Sequence, residues 1–204
     1  MQPGFSIIGS LVLLLLSCYL WDAEAICCWP GVKERNRKAV STISVRNGGR
    51  WGQWGPKHFC PKGYAIAFSL KVEPFQGILH DDSSLNGIRL HCSDGSVVTS
   101  AVGPKGYWTL AKSCRRKNLM QAFRLRVSRP QVDGDDTAAN NIQFKCSNGV
   151  RLRGKGLAWG RYGKWSKSCK RGICGLQTKV DKGQRLGRVD ATGLNDVRFF
   201  CCKD

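Results

Sequence analysis

Cysteine and carboxylate are the two side-chain chemistries that this sequence places at repeated spacings. Six of its eleven cysteines form three pairs, Cys60 with Cys92, Cys114 with Cys146 and Cys169 with Cys201, each 32 residues apart. Paired thiols oxidise to disulfides or bind zinc as thiolates. Six residues before the second cysteine of each pair stands an Asn that closes an acidic turn: Asp81-Asp82-Ser83-Ser84-Leu85-Asn86, Asp135-Asp136-Thr137-Ala138-Ala139-Asn140 and Asp190-Ala191-Thr192-Gly193-Leu194-Asn195. Two carboxylates across a scissile bond hydrolyse glycosides, and clustered aspartates hold calcium.

The carboxylate chemistry is thinly supported. Glu73 with Asp81 or Asp82 is the best acid pair, but beyond residue 25 the only glutamates are Glu34 and Glu73, and Asp and Asn in turns ordinarily bend and cap the backbone. His58, His80 and His91 have no metal spacing, and no Gly-x-Ser-x-Gly or Cys-His nucleophile arrangement is present. No enzyme activity, metal or cofactor is therefore expected. A sugar-binding role is a separate reading, in which Glu73, Asp81, Asp82, Asp135 and Asp136 take hydroxyls while Trp54, Trp108 and Trp165 stack on pyranose faces. Against it, Trp51, Trp54, Trp108, Trp159 and Trp165 are expected to fill the centre of the fold.

The elements that position these residues repeat with the cysteines. An aromatic and glycine cluster precedes each first cysteine: Trp51-Gly-Gln-Trp54-Gly, Gly106-Tyr107-Trp108 and Trp159-Gly-Arg-Tyr162-Gly-Lys-Trp165. Period-two runs follow, with Phe68, Leu70 and Val72 matched by Phe123, Leu125 and Val127 and by Leu176, Thr178 and Val180. A second such run leads into each second cysteine through Ile88 and Leu90, Ile142 and Phe144, or Val197 and Phe199. Alternation of this kind marks half-buried strands. With no helix-length periodicity after residue 25, the fold class is all-β and pseudo-threefold, with repeat units of roughly 43–104, 105–158 and 159–204 packed about one axis.

Repeat symmetry selects the disulfides Cys60–Cys92, Cys114–Cys146 and Cys169–Cys201, and leaves Cys174 to pair with Cys202. A zinc site of Cys169, Cys174, Cys201 and Cys202 fits poorly, because adjacent strand residues point to opposite faces. Cys27 and Cys28 lie outside the repeat and have two readings: bridged within the chain, or linked between chains.

Residues 1–25 read as a secretory signal, with an apolar core from Ile7 to Leu16 and a small-x-small site at Ala23-Glu24-Ala25. A secreted, extracellular chain of oxidised cysteines follows. No later segment is apolar enough to span a membrane. Residues 26–41 are a basic N-terminal segment and 42–204 a single domain.

Several runs closely resemble the vitelline membrane outer layer protein family: Phe68-Ser-Leu-Lys-Val-Glu-Pro74, Leu85-Asn-Gly-Ile-Arg-Leu-His-Cys92, Ala138-Ala-Asn-Asn141, Cys174-Gly-Leu-Gln-Thr-Lys179 and Leu194-Asn-Asp196 with Cys201-Cys202. The likeness extends from about Ile43 to Lys203. It implies a β-prism of three Greek-key sheets, in a secreted protein of the egg's outer vitelline coat or of other extracellular fluids. The chain departs from the family pattern at Ser128, where Glu is usual, at Ala191 in the third acidic turn, and at Arg161, Lys164 and Lys167, where the family is acidic.

Charge separates the repeats. Removing residues 1–25 takes the formal charge from +19 to +21, since they hold two acids and no base. Residues 54–104 carry four bases and four acids, whereas 105–188 carry 21 bases and four acids. The candidate polyanion-binding residues are Arg115, Arg116, Lys117, Arg124, Arg126, Arg151, Arg153, Lys155, Arg161, Lys164, Lys167, Lys170 and Arg171. Such a surface attracts polyanions through long-range, salt-sensitive forces. Acidic or mucin-type extracellular glycoproteins are the natural partners, with glycans themselves as a further class. Nucleic acid is not expected, because the chain is exported and has no recognised reading motif.

Overall fold

A computed structural model describes residues 37–75, 77, 83–128, 139–183 and 192–203. The expected signal at residues 1–25, Cys27, Cys28, Asp81, Asp82, Asp135 and Asp136 lie outside them. From Arg37 onward the chain forms one compact unit.

All regular structure among the described residues is β. In chain order the strands are β1 (Ala39–Ile43), β2 (Gln53–Trp54), β3 (His58–Phe59), β4 (Ala65–Val72), β5 (Leu85–Cys92), β6 (Val97–Thr99) and β7 (Tyr107–Trp108). There follow β8 (Lys112–Ser113), β9 (Met120–Val127), β10 (Ala139–Cys146), β11 (Arg151–Arg153), β12 (Arg161–Tyr162), β13 (Ile173–Asp181) and β14 (Gly193–Cys202). They make three antiparallel sheets, the sides of a β-prism: sheet A in the order β1-β14-β13-β2 with β3 also on β13, sheet B in the order β6-β5-β4-β7 with β8 also on β4, and sheet C in the order β11-β10-β9-β12.

Each sheet is built on one long hairpin whose alternation points apolar side chains inward. Phe68, Leu70, Ile88 and Leu90 from sheet B meet Phe123, Leu125, Ile142 and Phe144 from sheet C and Leu176, Val197 and Phe199 from sheet A in a single buried core. Phenylalanine rings bridge the sheets, with centroids 4.7 Å apart for Phe68 and Phe144 and 4.7 Å for Phe123 and Phe199. The centre is thus phenylalanine, and the expectation that the tryptophans fill it is corrected. Trp54, Trp108 and Trp165 are half-buried on outer faces and Trp159 is exposed, because the inward positions of the long hairpins already fill the space.

The sheets are offset from the sequence repeats. Trp54, from the cluster that opens the first repeat, pairs with Lys179 of β13; Trp108 pairs with Lys71 of β4, and Tyr162 with Arg126 of β9. Every aromatic cluster therefore edges the sheet of the repeat before it, and β1 pairs with β14 to complete the ring. The glycine that leads into each of these strands, Gly52, Gly106 or Gly160, has positive φ. A Cβ at any of them would collide with the backbone of Val180, Val72 or Val127, so only glycine lets the crossing segment approach. Polar bonds close the corners: Thr178 donates through Oγ1 to the Ala101 carbonyl at 2.6 Å, and Asn47 through Nδ2 to that of Leu125 at 2.9 Å.

Disulfides close one end of the prism. Cys60–Cys92, Cys114–Cys146, Cys169–Cys201 and Cys174–Cys202 are all formed. Around the last of them, Tyr64, Phe200, Phe59 and Leu119 make a second, smaller apolar cluster.

Candidate functional site

The outer faces carry what the core does not use. In each sheet the cross-strand pair flanking the central position supplies one arginine: Ser69 opposite Arg89 in sheet B, Arg124 opposite Gln143 in sheet C and Gln177 opposite Arg198 in sheet A. That guanidinium lies over an aromatic ring, at 3.8 Å for Arg89 on Trp108, 4.0 Å for Arg198 on Trp54 and 4.8 Å for Arg124 on Tyr162. A second cation, one outward position further along, ties down the incoming segment. Lys71 Nζ donates to the carbonyls of Gly103 and Pro104, Lys179 Nζ to that of Arg50, and Arg126 Nε to those of Trp159 and Gly160. The aromatic clusters are thus held by cations, at about 0.5–2 kcal/mol per stacked pair.

Sheet C extends this plan. Arg124 lies 5.0 Å from the Trp165 ring as well as over Tyr162, Arg126 lies 5.4 Å from Tyr162, and Arg151 lies 5.8 Å from Trp165. Burial pushes the Tyr162 phenol upward despite the opposing effect of Arg153, Arg126 and Arg124, so the ring stays neutral beneath its cations. Lys145 of β10 pairs directly with Arg151, and Gln143 with Arg153.

Of the thirteen candidate polyanion-binding residues, eleven are exposed, and Arg124 and Arg126 are half-buried in the stacks just described. They occupy two places. Arg151, Arg153, Arg124, Arg126 and Arg161 lie on strands of sheet C, with Lys155, Lys164 and Lys167 in the loops that adjoin them. Arg115, Arg116, Lys117, Lys170 and Arg171 follow Cys114 and Cys169 at the disulfide end. There Arg116 and Lys117 take consecutive positive φ angles of 55° and 59°, in a turn closed by the Asn118 amide on the Arg115 carbonyl. Lys145 belongs with the first group and was missed in the sequence. Its alternation with inward Phe144 was the signal that could have found it.

The sugar-binding candidates are not brought together as one described site. Glu73 is 4% exposed. Its Oε2 accepts from the Ser83 amide at 2.9 Å and the Ser83 hydroxyl at 2.6 Å, and Lys105 Nζ stands 3.9 Å from its Oε1. Asn86 then donates to that hydroxyl at 2.6 Å. The other repeats hold the same clasp in altered form: Asn140 donates to Ser128 Oγ at 2.7 Å, while Asn195 donates to Thr192, which donates to Asp181. Glu73 therefore fastens the base of a turn. Trp54, Trp108 and Trp165 each have a guanidinium against the ring.

A model of the family described as Vitelline membrane outer layer protein I matches residues 41–204. This chain belongs to that family. Vitelline membrane outer layer protein 1 homolog of Mus musculus is 50% identical over 170 residues, covering 80% of this chain and 84% of the relative. The Homo sapiens homolog is 50% identical over 171 residues with the same shares. Among solved structures, the artocarpin–mannotriose complex superposes with TM-score 0.51 at 11% identity, over 80% of this chain and 97% of that one. Calystegia sepium agglutinin gives TM-score 0.51 at 11% identity, over 78% and 93%. At such identity the lectins show that this vitelline membrane outer layer family member shares the β-prism fold, and no more.

Proposed function

We propose that this protein is a secreted, non-enzymatic binding component of an extracellular coat or fluid, of the egg outer vitelline layer type, that associates through its basic surface with anionic glycoproteins. One observation carries the reading: residues 105–180 hold eighteen lysines and arginines against three acids, Asp133, Asp135 and Asp136. Solubility alone calls for mixed charge rather than a one-sign field, whereas a surface of one sign draws in polyanions from beyond contact distance. Membership of the family and four disulfides fit an extracellular setting. Glu73, sealed under Ser83 and facing Lys105, is committed to structure, which favours binding over sugar chemistry. Guanidiniums against Trp54 and Trp108 likewise favour acidic ligands over neutral sugars stacked on bare rings.

The test is chromatography of the secreted protein on immobilised sialylated or sulfated mucin. Retention at low salt with release as the Debye length falls below about 10 Å, near 0.1 M salt, is expected. Failure to be retained, or retention indifferent to salt, would sink the reading. Tryptophan fluorescence that shifts with neutral oligosaccharides and not with mucin would replace it by a lectin of neutral glycans.

A further inference from the structure

Threefold repetition supplies an internal control for the basic surface. Laid on one another, sheets B and C share a backbone but not their outward side chains. Sheet C has Lys145, Arg151, Arg153 and Lys164 where sheet B has His91, Val97, Thr99 and Leu110, whereas Arg124 opposite Gln143 only exchanges strands with Arg89 opposite Ser69. Sheet B folds with neutral or weakly basic residues at these four places, so the fold does not require cations there. Their accumulation on one side of three calls for a ligand.

Their arrangement says what kind of ligand. Arg126, Tyr162, Arg124, Trp165 and Arg151 form an alternating row of cation and ring across the sheet, with successive spacings of 5.4, 4.8, 5.0 and 5.8 Å. Among the described residues, the ring equivalent to Tyr162 meets one guanidinium in each of sheets A and B, Arg198 on Trp54 and Arg89 on Trp108. Two guanidiniums of the row are further fixed through Nε, Arg124 on Gln143 Oε1 at 2.9 Å and Arg126 on the carbonyls of Trp159 and Gly160. An arginine held through Nε keeps the planar fork that binds an oxyanion in two-point fashion. Ordering it costs side-chain entropy, and here folding rather than binding bears that cost.

The spacing of the outward positions sets the spacing of the ligand's charges. Like-facing residues recur about every 7 Å along a strand and about 5 Å between strands. Only a chain with anions at comparable intervals meets several of them at once. We infer that the outer face of sheet C binds a linear glycan chain bearing sulfate or carboxylate groups at regular intervals, with Lys145, Arg151 and Arg153 at the β11 edge as its main contacts. The inference rests on the polyanion reading above and assigns it a face and a ligand class. Single-stranded nucleic acid fits less well, since it needs open ring faces for its bases, and the rings of this row lie against guanidiniums.

The experiment uses the secreted full-length product and two triple variants of equal charge change, Lys145→Glu/Arg151→Glu/Arg153→Glu on sheet C and Arg115→Glu/Arg116→Glu/Lys170→Glu at the disulfide end. Binding to heparin, to hyaluronan and to duplex DNA is measured by surface plasmon resonance at low and physiological salt. A loss of heparin affinity at least about tenfold greater for the sheet C triple, one decade in Kd being about 1.4 kcal/mol, supports the assignment. Heparin retention without hyaluronan identifies sulfate as the anion, and retention of both identifies charge of either kind; each outcome supports the proposal. Equal losses in the two triples would overturn the assignment to sheet C and leave polyanion binding standing. No wild-type binding to either glycan would overturn the underlying reading itself. Duplex DNA bound as tightly as heparin, with the same loss in the sheet C triple, would overturn the glycan class. Lys145→Ser/Arg151→Ser/Arg153→Ser, expected to melt close to the wild type, separates lost contacts from misfolding and should show the same ranking.

Discussion

Arg124 donates through Nε to Gln143 Oε1 at 2.9 Å, directly across β9 and β10. In sheet A the same two places hold Gln177 and Arg198, so the arginine has changed strands while the stack on the neighbouring aromatic is kept. The requirement is for one cation per pair, on either strand. Arg124→Gln alone should cost about 1 kcal/mol, and adding Gln143→Arg should restore most of it. Thermal melting of the single and double variants decides the matter; a double variant no more stable than the single one refutes the interchange.

Two disulfides clamp one hairpin. Cys169–Cys201 and Cys174–Cys202 both join β13 and its approach to β14, and once one is closed the other shuts a loop of only a few residues. By the chain-entropy model, removing either alone should cost about 2 kcal/mol, against about 4 kcal/mol for Cys114–Cys146, the sole bridge of its repeat. Removing both should cost more than the sum of the two single losses. Denaturant unfolding of Cys→Ala pair variants measures all four quantities, and additivity of the sheet A pair would contradict the shared-loop account.

Glu73 is a fastener. Deleting its carboxylate in Glu73→Ala strands the Ser83 amide and hydroxyl, both buried, which should destabilise by about 2–3 kcal/mol. Mucin binding by the fraction that remains folded should be unchanged. Lost binding at full stability would instead put Glu73 in a ligand site.

Asp196 sets a pH dependence. Burial pushes its carboxyl above the ordinary value, a shift only partly opposed by the Val197 amide, Lys179 and Arg198. A raised folded value means that the native state holds the proton more tightly than the unfolded chain. Its stabilising share is therefore full at low pH and is lost as pH rises from about 3.8 through the folded value. Asp196→Asn keeps an acceptor for the Val197 amide and should raise Tm at about pH 7 while leaving it unchanged below about pH 3. An equal change at both pH values would exclude this origin.

Much of this architecture was legible in the residues. The 32-residue cysteine spacing and the inward alternation of Phe68 with Leu70, or Phe123 with Leu125, mark three long hairpins, since strand periodicity is written locally. Which sheet Trp54, Trp108 and Tyr162 would join is not local. Trp108 and Tyr162 pair with strands of the repeat before them and Trp54 with β13 of the last repeat, and nothing in a two-residue strand signals its partner. The tryptophans were misplaced for a related reason: their size suggests a core, but their neighbours Arg89, Arg198 and Arg124 come from strands that alternation alone cannot align with them. Cationic excess after Lys105 was plain from counting. Its concentration on sheet C depended on the pairing of Lys145 with Arg151, a register that sequence does not display.

The pairing of β1 with β14 also governs the order in which the protein can form. A nascent chain can close sheet B once Ser113 has emerged and sheet C once Tyr162 has, each with its own cysteines in hand. Sheet A cannot close until the final strand arrives, so β1, β2 and β3 must wait through most of synthesis with their edges unmatched. The earliest strands of the prism are completed by its last, and the third face doubles as the latch of the fold.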